Sequence, residues 1–377
     1  MQKLQLRSGN QMVAEGAVAA GCRFFAGYPI TPASGIYKGM IDLLQQRGDL
    51  AVSAPDEISA LAYCVGASMR GFKPMTATSG PGWALMTETV QYALMTETPV
   101  VIALVQRLGP STGGATQGAQ GDLLFVEYCT SGGYTIPVFC PSTLRECYEL
   151  THRAFSCAEE LRTPVVLLLD KEVGMTVARI DYGDLQTPAL VNRPANVEYR
   201  GSLPGKQRMY EFADRSEVPA FVPVGGRMKV TATGSAHNKS GELKKNDDET
   251  LDVLYHLESK ITAHADKFKV LGIDREEGAA TLILSYGITA RAMRESVYLA
   301  RAGGKKVSAI NVQSLFPVPY RELTAAAEGA SRIIVAEENM QGQYRQVIEH
   351  VFRAQEVLGV NKIGSMITPE EISRLII

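Results

Sequence analysis

Three residues of different chemical type each follow a short apolar run. Thr31 lies in "GYPITPASG" (Gly27–Gly35), Glu57 in "PDE" (Pro55–Glu57), and Arg107 opens "RLGPSTGG". Proline fixes its own φ and pushes the residue before it towards extended backbone. Pro29 and Pro32 therefore present Ile30 and Thr31 rigidly, which suits a hydroxyl held against a ligand. A well-packed strand-to-helix turn would read the same way. Glu57 precedes an Ala-rich helical stretch, where a carboxylate suits either general acid–base work or the positive end of the helix dipole. Arg107 ends a strand and enters a Gly/Pro/Ser/Thr loop. A planar guanidinium there can take a carboxylate in bidentate fashion, or it can simply face solvent.

The surrounding elements decide whether these three meet. Over the first 175 residues, strand-like and helix-like runs alternate. Strands are expected at Cys22–Tyr28, Ala51–Ala54, Met75–Ser79, Pro99–Gln106, Tyr134–Phe139 and Pro164–Asp170. Helices are expected around Asn10–Ala20, at Ser34–Gln46 and Glu57–Arg70, from Trp83, and at Leu144–Leu161. Continuous apolar strands alternating with helices imply a doubly wound parallel sheet. Ligands bind such sheets at the C-terminal ends of the strands. "YPITP", "PDE", "SGPG" (Ser79–Gly82) and "QRLGPSTGG" (Gln106–Gly114) all fall there.

From about Gln186 the alternation fails. The segment is rich in Pro, Gly and charge, and "HNKSGELKKNDDET" looks exposed. Alternation resumes with a strand at Ala280–Ser285, a helix at Thr289–Ala302 and strands at Lys306–Asn311 and Arg332–Ala336. The expected organisation is a first α/β domain over 1–185, an irregular linker over 186–265 and a smaller α/β domain over 266–377. The pentapeptide LMTET occurs at Leu85–Thr89 and again at Leu94–Thr98. On one continuous helix the two copies would face opposite ways, so they are read as coincidence.

Composition removes several classes of function. The chain has 377 residues, 45% of them hydrophobic, and a net charge of −2. That is ordinary for a globular protein and gives no electrostatic footprint for nucleic acid or an anionic membrane. No apolar run is long enough to span a bilayer, and the N-terminus shows no secretory signal. The six cysteines form no CxxC pair, and the five histidines form no HExxH. They read as reduced core residues of a cytoplasmic protein with no metal site of its own. "GPGWAL" lacks the third glycine of a dinucleotide fingerprint, and "GGATQGAQ" has Ala119 and Gln120 where a P-loop needs Lys and Ser/Thr. No GDG with paired asparagines, the signature of a magnesium diphosphate cradle, is present.

The ordered set "GYPITP", "DEISALAYCVGASMRG", "TATSGPG", "TPVVIALVQRLGPSTG" and "TPVVLLLD" resembles the alpha subunit of 2-oxoacid:ferredoxin oxidoreductases. "VTATGSAHNKSGE", "LFPVPYREL" and "VAEENMQGQ" extend the resemblance over nearly the whole chain. It implies a thiamine diphosphate-binding (pyrimidine) domain followed by a domain like the transketolase C-terminal one. It implies oxidative decarboxylation of a 2-oxoacid with coenzyme A as co-substrate and ferredoxin as acceptor, reversibly. Thiamine diphosphate would be shared with a beta subunit that holds Mg2+ and a [4Fe-4S] cluster. This chain alone would be inactive, the assembly a dimer of heteromers, and gamma and delta separate subunits or absent.

By the same resemblance, Glu57 would hydrogen-bond the aminopyrimidine ring and favour its imino tautomer. Tyr28, Pro29 and Ile30 would wall the cofactor. Arg107 and Thr31 would hold the substrate, with Pro110, Ser111 and Thr112 in support. Ala115 stands where proline is usual in the family, which implies a looser loop and leaves the substrate open. 2-Oxoglutarate is the first expectation and branched-chain 2-oxoacids the second. The distal carboxylate of 2-oxoglutarate needs a further cation, from Lys38, Arg47 or the partner. A ferredoxin-independent split transketolase and a non-catalytic structural subunit are the rival readings.

Overall fold

The computed structural model describes residues 4–194, 208–226 and 228–377. The first part of the chain carries β1 (Leu4–Ser8), α1 (Gly9–Ala19), β2 (Phe24–Gly27), α2 (Ser34–Gln46), β3 (Leu50–Ser53), α3 (Glu57–Met69), β4 (Pro74–Thr78) and α4 (Gly80–Met95). It continues with β5 (Val100–Gln106), α5 (Leu123–Glu127), β6 (Val138–Phe139), α6 (Leu144–Leu161), β7 (Pro164–Asp170), α7 (Lys171–Met175) and β8 (Val177–Asp181). After the intervening segment come α8 (Asp248–Phe268), β9 (Leu271–Asp274), β10 (Thr281–Ser285), α9 (Thr289–Ala302), β11 (Val307–Val312) and β12 (Ser314–Phe316). The chain closes with α10 (Tyr320–Ala326), β13 (Arg332–Glu337), α11 (Gln343–Ile348), β14 (Glu356–Asn361) and α12 (Pro369–Ser373).

Seven strands form the larger sheet in the order β12-β6-β7-β5-β4-β2-β3, with β12 alone antiparallel to its neighbour. β5 (VVIALVQ) and β7 (PVVLLLD) are buried along their whole length. An apolar run covered on both faces is what a central parallel strand requires. The five-stranded sheet, β14-β13-β10-β11-β9, is parallel except at β9. The chain is thus an α/β protein of two wound sheets. β12 follows β11 of the second sheet yet pairs with β6 of the first. One apolar core runs through both, joining Ile102, Leu104 and Val166 to Leu284, Tyr286 and Val335.

Local chemistry sets the helix starts. α1 opens on a Ser8/Gln11 capping box, and the Asp56 side chain accepts from the Ser59 amide at 2.7 Å to open α3. α4 begins at Gly80, before the expected Trp83, because Pro81 needs no amide partner in a first turn.

The segment 186–265 departs from the irregular linker expected of it. Residues 195–207 and 227 lie outside the description, but α8 occupies 248–268. Asp247 caps it, accepting from the Thr250 amide at 3.0 Å, and Val253, Leu257 and Ile261 form its buried stripe. Charge at Asp247–Glu249 looked like a loop and is instead a helix N-terminus. "HNKSGE" is anchored too. His237 is fully buried and its ring meets the Met95 carbonyl oxygen at 3.2 Å.

The repeated pentapeptide also differs from expectation. α4 ends at Met95, so the second copy leaves the helix, with Thr96 as C-cap and Glu97 at φ 47°. Glu88 of the first copy is exposed. Glu97 is buried and bonded to Lys260 and to His256, the latter at 3.2 Å, while Arg162 donates to its backbone oxygen at 3.2 Å. These bonds pin α8 to the first domain. Burial pulls the Lys260 ammonium down to about 8, and Glu97 opposes that. Glu97→Gln would leave buried cations without their counter-ion, and it is expected to cost about 3–5 kcal/mol. Glu88→Gln is expected to stay within about 0.5 kcal/mol. Urea denaturation of the two variants checks the contrast.

Candidate active site

β3, β2, β4 and β5 are neighbours in that order. The loops after them therefore lie side by side along one sheet edge, and they carry Glu57, Thr31, the start of α4 and Arg107. The guanidinium of Arg107 reaches across the loop after β4. Its Nη1 donates to the Thr31 backbone oxygen at 2.5 Å. Thr31 and Arg107 thus meet through main chain, while Thr31 itself remains exposed. Arg107 is only 6% exposed, and its buried Nε has no hydrogen-bond partner.

The first turn of α4 separates this arginine from Glu57. Gly80 and Pro81 line a cavity of about 460 Å3 together with Arg107, Leu108, Pro110, Ser111 and Asp122. Gly82 lies on the other side of the turn. A Cβ there would stand 2.7 Å from Glu57 Oε1 and 2.5 Å from its Cγ, and would also strike Thr78 Oγ1. Glu57 is 6% exposed, and no described residue hydrogen-bonds its carboxylate. The absent Cβ at Gly82 lets Glu57 and Thr78 pack against the first turn of α4, and a buried carboxylate with no described partner fits a nitrogen donor of a flat heterocycle.

The other expected site residues are spread more widely. Tyr28 and Pro29 are exposed and Ile30 is half-buried, and none of them lines the cavity. Ser111 lines it with φ 53°, while Thr112 stands exposed outside it. Lys38 is exposed on α2. Arg47 pairs with Asp49, 3.4 Å away. Neither lines the cavity, because α2 runs away from the rim on which Thr31 sits. The loop after Arg107 is closed by Leu108 N to Gln117 O (2.9 Å), Gly114 N to Leu108 O (2.8 Å) and Gln117 N to Gly114 O (2.8 Å). Its missing proline is offset by these bonds.

The far wall of the cavity comes from the second sheet: Asn339, Met340, Gln341 and Gln343, just after β13, with Ile363. Gln120 joins the two sides. Its Nε2 donates to Asp170 Oδ2 (2.9 Å) and to the Tyr286 oxygen (3.2 Å). Its Oε1 accepts from the Glu338 amide (2.8 Å) and the Thr289 hydroxyl (3.1 Å). Burial pushes the Asp170 carboxyl up to about 8, against the bonds from Ile288 and Gln120. Gln106 bridges Asp170 Oδ1 (3.1 Å) and the Asp122 amide (3.1 Å). Gln106, Gln120 and Asp122 were missed as site residues. Their only signal was polarity inside "ALVQR" and "GAQGD".

The pattern of pyruvate flavodoxin/ferredoxin oxidoreductase, thiamine diphosphate-binding, matches residues 15–242, and that of pyruvate:ferredoxin oxidoreductase core domain II matches 279–372. The chain belongs to this family. The 2-oxoglutarate synthase subunit KorA of Methanothermobacter thermautotrophicus is 37% identical over 98% of this chain and 97% of its own. The subunit of that name from Archaeoglobus fulgidus is 35% identical over 99% of each. The solved 2-oxoglutarate:ferredoxin oxidoreductase from Magnetococcus marinus, with 2-oxoglutarate, coenzyme A and succinyl-CoA bound, superposes with a TM-score of 0.91 at 30% identity. That match covers 99% of this chain and 64% of the solved one. A split gene transketolase, an inactive beta4 tetramer, superposes with a TM-score of 0.52 at 12% identity and shows the fold alone.

The buried Glu57 carboxylate fits the aminopyrimidine end of the family's thiamine diphosphate. The residues present do not fit an iron–sulfur cluster. The six cysteines are free and buried, and burial pushes thiols such as Cys22 and Cys129 up to about 12. Among the described residues no group of three or more His, Cys, Asp or Glu could hold a metal ion. Gly82→Ala is expected to cost about 1–3 kcal/mol by overpacking and to displace Glu57. Denaturation measures the first effect, and the thiamine diphosphate retained by the purified assembly measures the second.

Proposed function

We propose that this chain is the alpha subunit of a 2-oxoglutarate:ferredoxin oxidoreductase. The reaction is 2-oxoglutarate plus coenzyme A plus two oxidised ferredoxins giving succinyl-CoA, carbon dioxide, two reduced ferredoxins and a proton, in either direction. The observation that carries this reading is the Arg107 guanidinium. It is buried, leaves Nε unpartnered, and lines a cavity on the far side of the first turn of α4 from the buried Glu57. A buried cation without a counter-ion bond is what a substrate carboxylate completes. Full-length relatives named for 2-oxoglutarate synthase support the choice of substrate.

Thiamine diphosphate, when bound, supplies the electron sink for decarboxylation. Glu57 holds its pyrimidine ring nitrogen and shares a proton there. Arg107 fixes the 2-oxoacid carboxylate, and the Thr31 hydroxyl and Ser111 complete the polar wall, with Thr112 behind. Tyr28, Pro29 and Ile30 flank the ring. Holding the reactants in register lowers the barrier without new chemistry from the protein.

The site is completed by a beta subunit carrying Mg2+ and a [4Fe-4S] cluster. Phe125 on α5 and Met340 line the cavity and are exposed, and Ile58 beside Glu57 is exposed as well. Apolar side chains at the mouth of a site suit a surface that a partner covers. Among the described residues Arg107 is the one Lys or Arg lining the cavity, and the partner supplies the cation for the distal carboxylate. We place the assembly in the cytoplasm as a dimer of heteromers, with gamma and delta as further chains where present. No helix among the described residues is long and apolar enough to cross a membrane. The apolar lining from Pro81, Ala84, Phe125, Met340 and Ile363 favours a second reading, a branched-chain 2-oxoacid.

The test is viologen reduction by the anaerobically purified assembly, with a panel of 2-oxoacids, with and without coenzyme A. Coenzyme-A-dependent reduction with 2-oxoglutarate is expected. Reduction with no acid, from an assembly holding its cofactor and cluster, would contradict the proposal. In the same assay Glu57→Gln is expected to lower kcat by about 10²–10⁴-fold, and Arg107→Lys to raise KM about tenfold or more.

A further inference from the structure

Asp122 faces Arg107 across the cavity and is not explained by the roles above. It lines the cavity with Arg107, and its Oδ2 is buried with no hydrogen-bond partner. It precedes α5 yet makes no capping bond to it, so helix capping does not account for it. Its backbone is fixed, since its amide donates to Gln106 Oε1 at 3.1 Å. From α4 it meets Gly80, whose missing Cβ would lie 2.9 Å from Asp122 Oδ1. From β5 and the loop after it come Gln106, which is neutral, and Arg107. Arg107 is the charged group that acts on it. One cavity therefore holds an unpartnered buried donor, Arg107 Nε, and an unpartnered buried acceptor, Asp122 Oδ2.

We propose that Asp122 offsets the charge of Arg107 through space, that it repels an incoming substrate carboxylate from the guanidinium, and that Asp122 thereby sets how tightly this site holds carboxylates. The proposal rests on the reading of the cavity as a 2-oxoacid site. Two carboxylates around one guanidinium repel each other, and the repulsion is relieved when one of them takes a proton. The substrate carboxylate is held in the Arg107 fork, so the proton goes to Asp122, taken from solvent. Burial already pushes the Asp122 carboxyl up to about 6, with Arg107 opposing. Asp122 is a positioning residue. It acts through Arg107 and need not touch the reacting carbon.

The sign follows from the charge. When Asp122 is ionised it neutralises Arg107 and repels the substrate, so binding weakens as pH rises above about 6. The test uses the assembled enzyme at pH 6 and pH 8, comparing wild type with Asp122→Asn. Two quantities are read: KM for 2-oxoglutarate by viologen reduction, and Kd for glutarate, an unreactive dicarboxylate, by calorimetry. In the wild type both are expected to rise about tenfold between pH 6 and pH 8. In Asp122→Asn both are expected to stay near the wild-type pH 6 value, with kcat within about twofold of wild type. A merely structural role would lower kcat or weaken binding at both pH values. Either of those results overturns the proposal, as does an unchanged wild-type profile or no glutarate binding at either pH. If no 2-oxoacid is oxidised, the functional reading fails, and the glutarate arm still decides the role of Asp122.

Discussion

The geometry of the site depends on one buried carboxamide. Gln120 is fully buried, and each of its hydrogen-bonding groups is used. Its side chain spends two donors on Asp170 and Tyr286 and accepts from Glu338 and Thr289. Its backbone donates to the Glu338 oxygen at 2.7 Å and accepts from Asn339 Nδ2 at 3.1 Å. A polar network buried this deeply is stable only when it is fully satisfied. It therefore permits one relative placement of the two sheets. Gly287 enforces the same placement, because a Cβ there would strike Asp170 Oδ2 and stand 2.8 Å from Gln120 Nε2.

The rest of the cavity follows from that clamp. Asp170 also binds Gln106, the residue before Arg107, and Gln106 binds the amide of Asp122. The arginine and the carboxylate facing it are thus set by the network that joins the sheets. Gln343 adds a further tie, donating to the Gly121 oxygen at 3.0 Å and accepting from the Leu124 amide at 3.1 Å. The placement of Arg107 at the end of β5 and the position of the second sheet are mechanically one property.

Much of this was legible in the sequence, and the remainder fails for definable reasons. β7, α2, α6 and α9 stand where apolar periodicity placed them, because each buries a stripe or a whole strand. Thr31, Glu57 and Arg107 share one sheet edge because strand order and connection rules leave little choice. β12 carries too few residues to register as periodic, and the edge strand β14 buries too little of its length to show an apolar run. α8 was hidden by charge: its capping acids resemble a loop until the buried face of Val253, Leu257 and Ile261 has something to pack on. Gln106 and Gln120 were invisible for another reason. Buried amides are specified by partners far away in the chain, and one-dimensional pattern does not encode those pairings.

The contact that Arg107 makes with substrate is the central claim. It is tested most directly by the structure of the assembled enzyme with 2-oxoglutarate bound and coenzyme A withheld. The account predicts the substrate's 1-carboxylate on the Arg107 guanidinium, within hydrogen-bonding distance of Nε, with Glu57 on the pyrimidine ring of the cofactor. A 1-carboxylate seated away from Arg107, or a cofactor ring held elsewhere than beside Glu57, would contradict it.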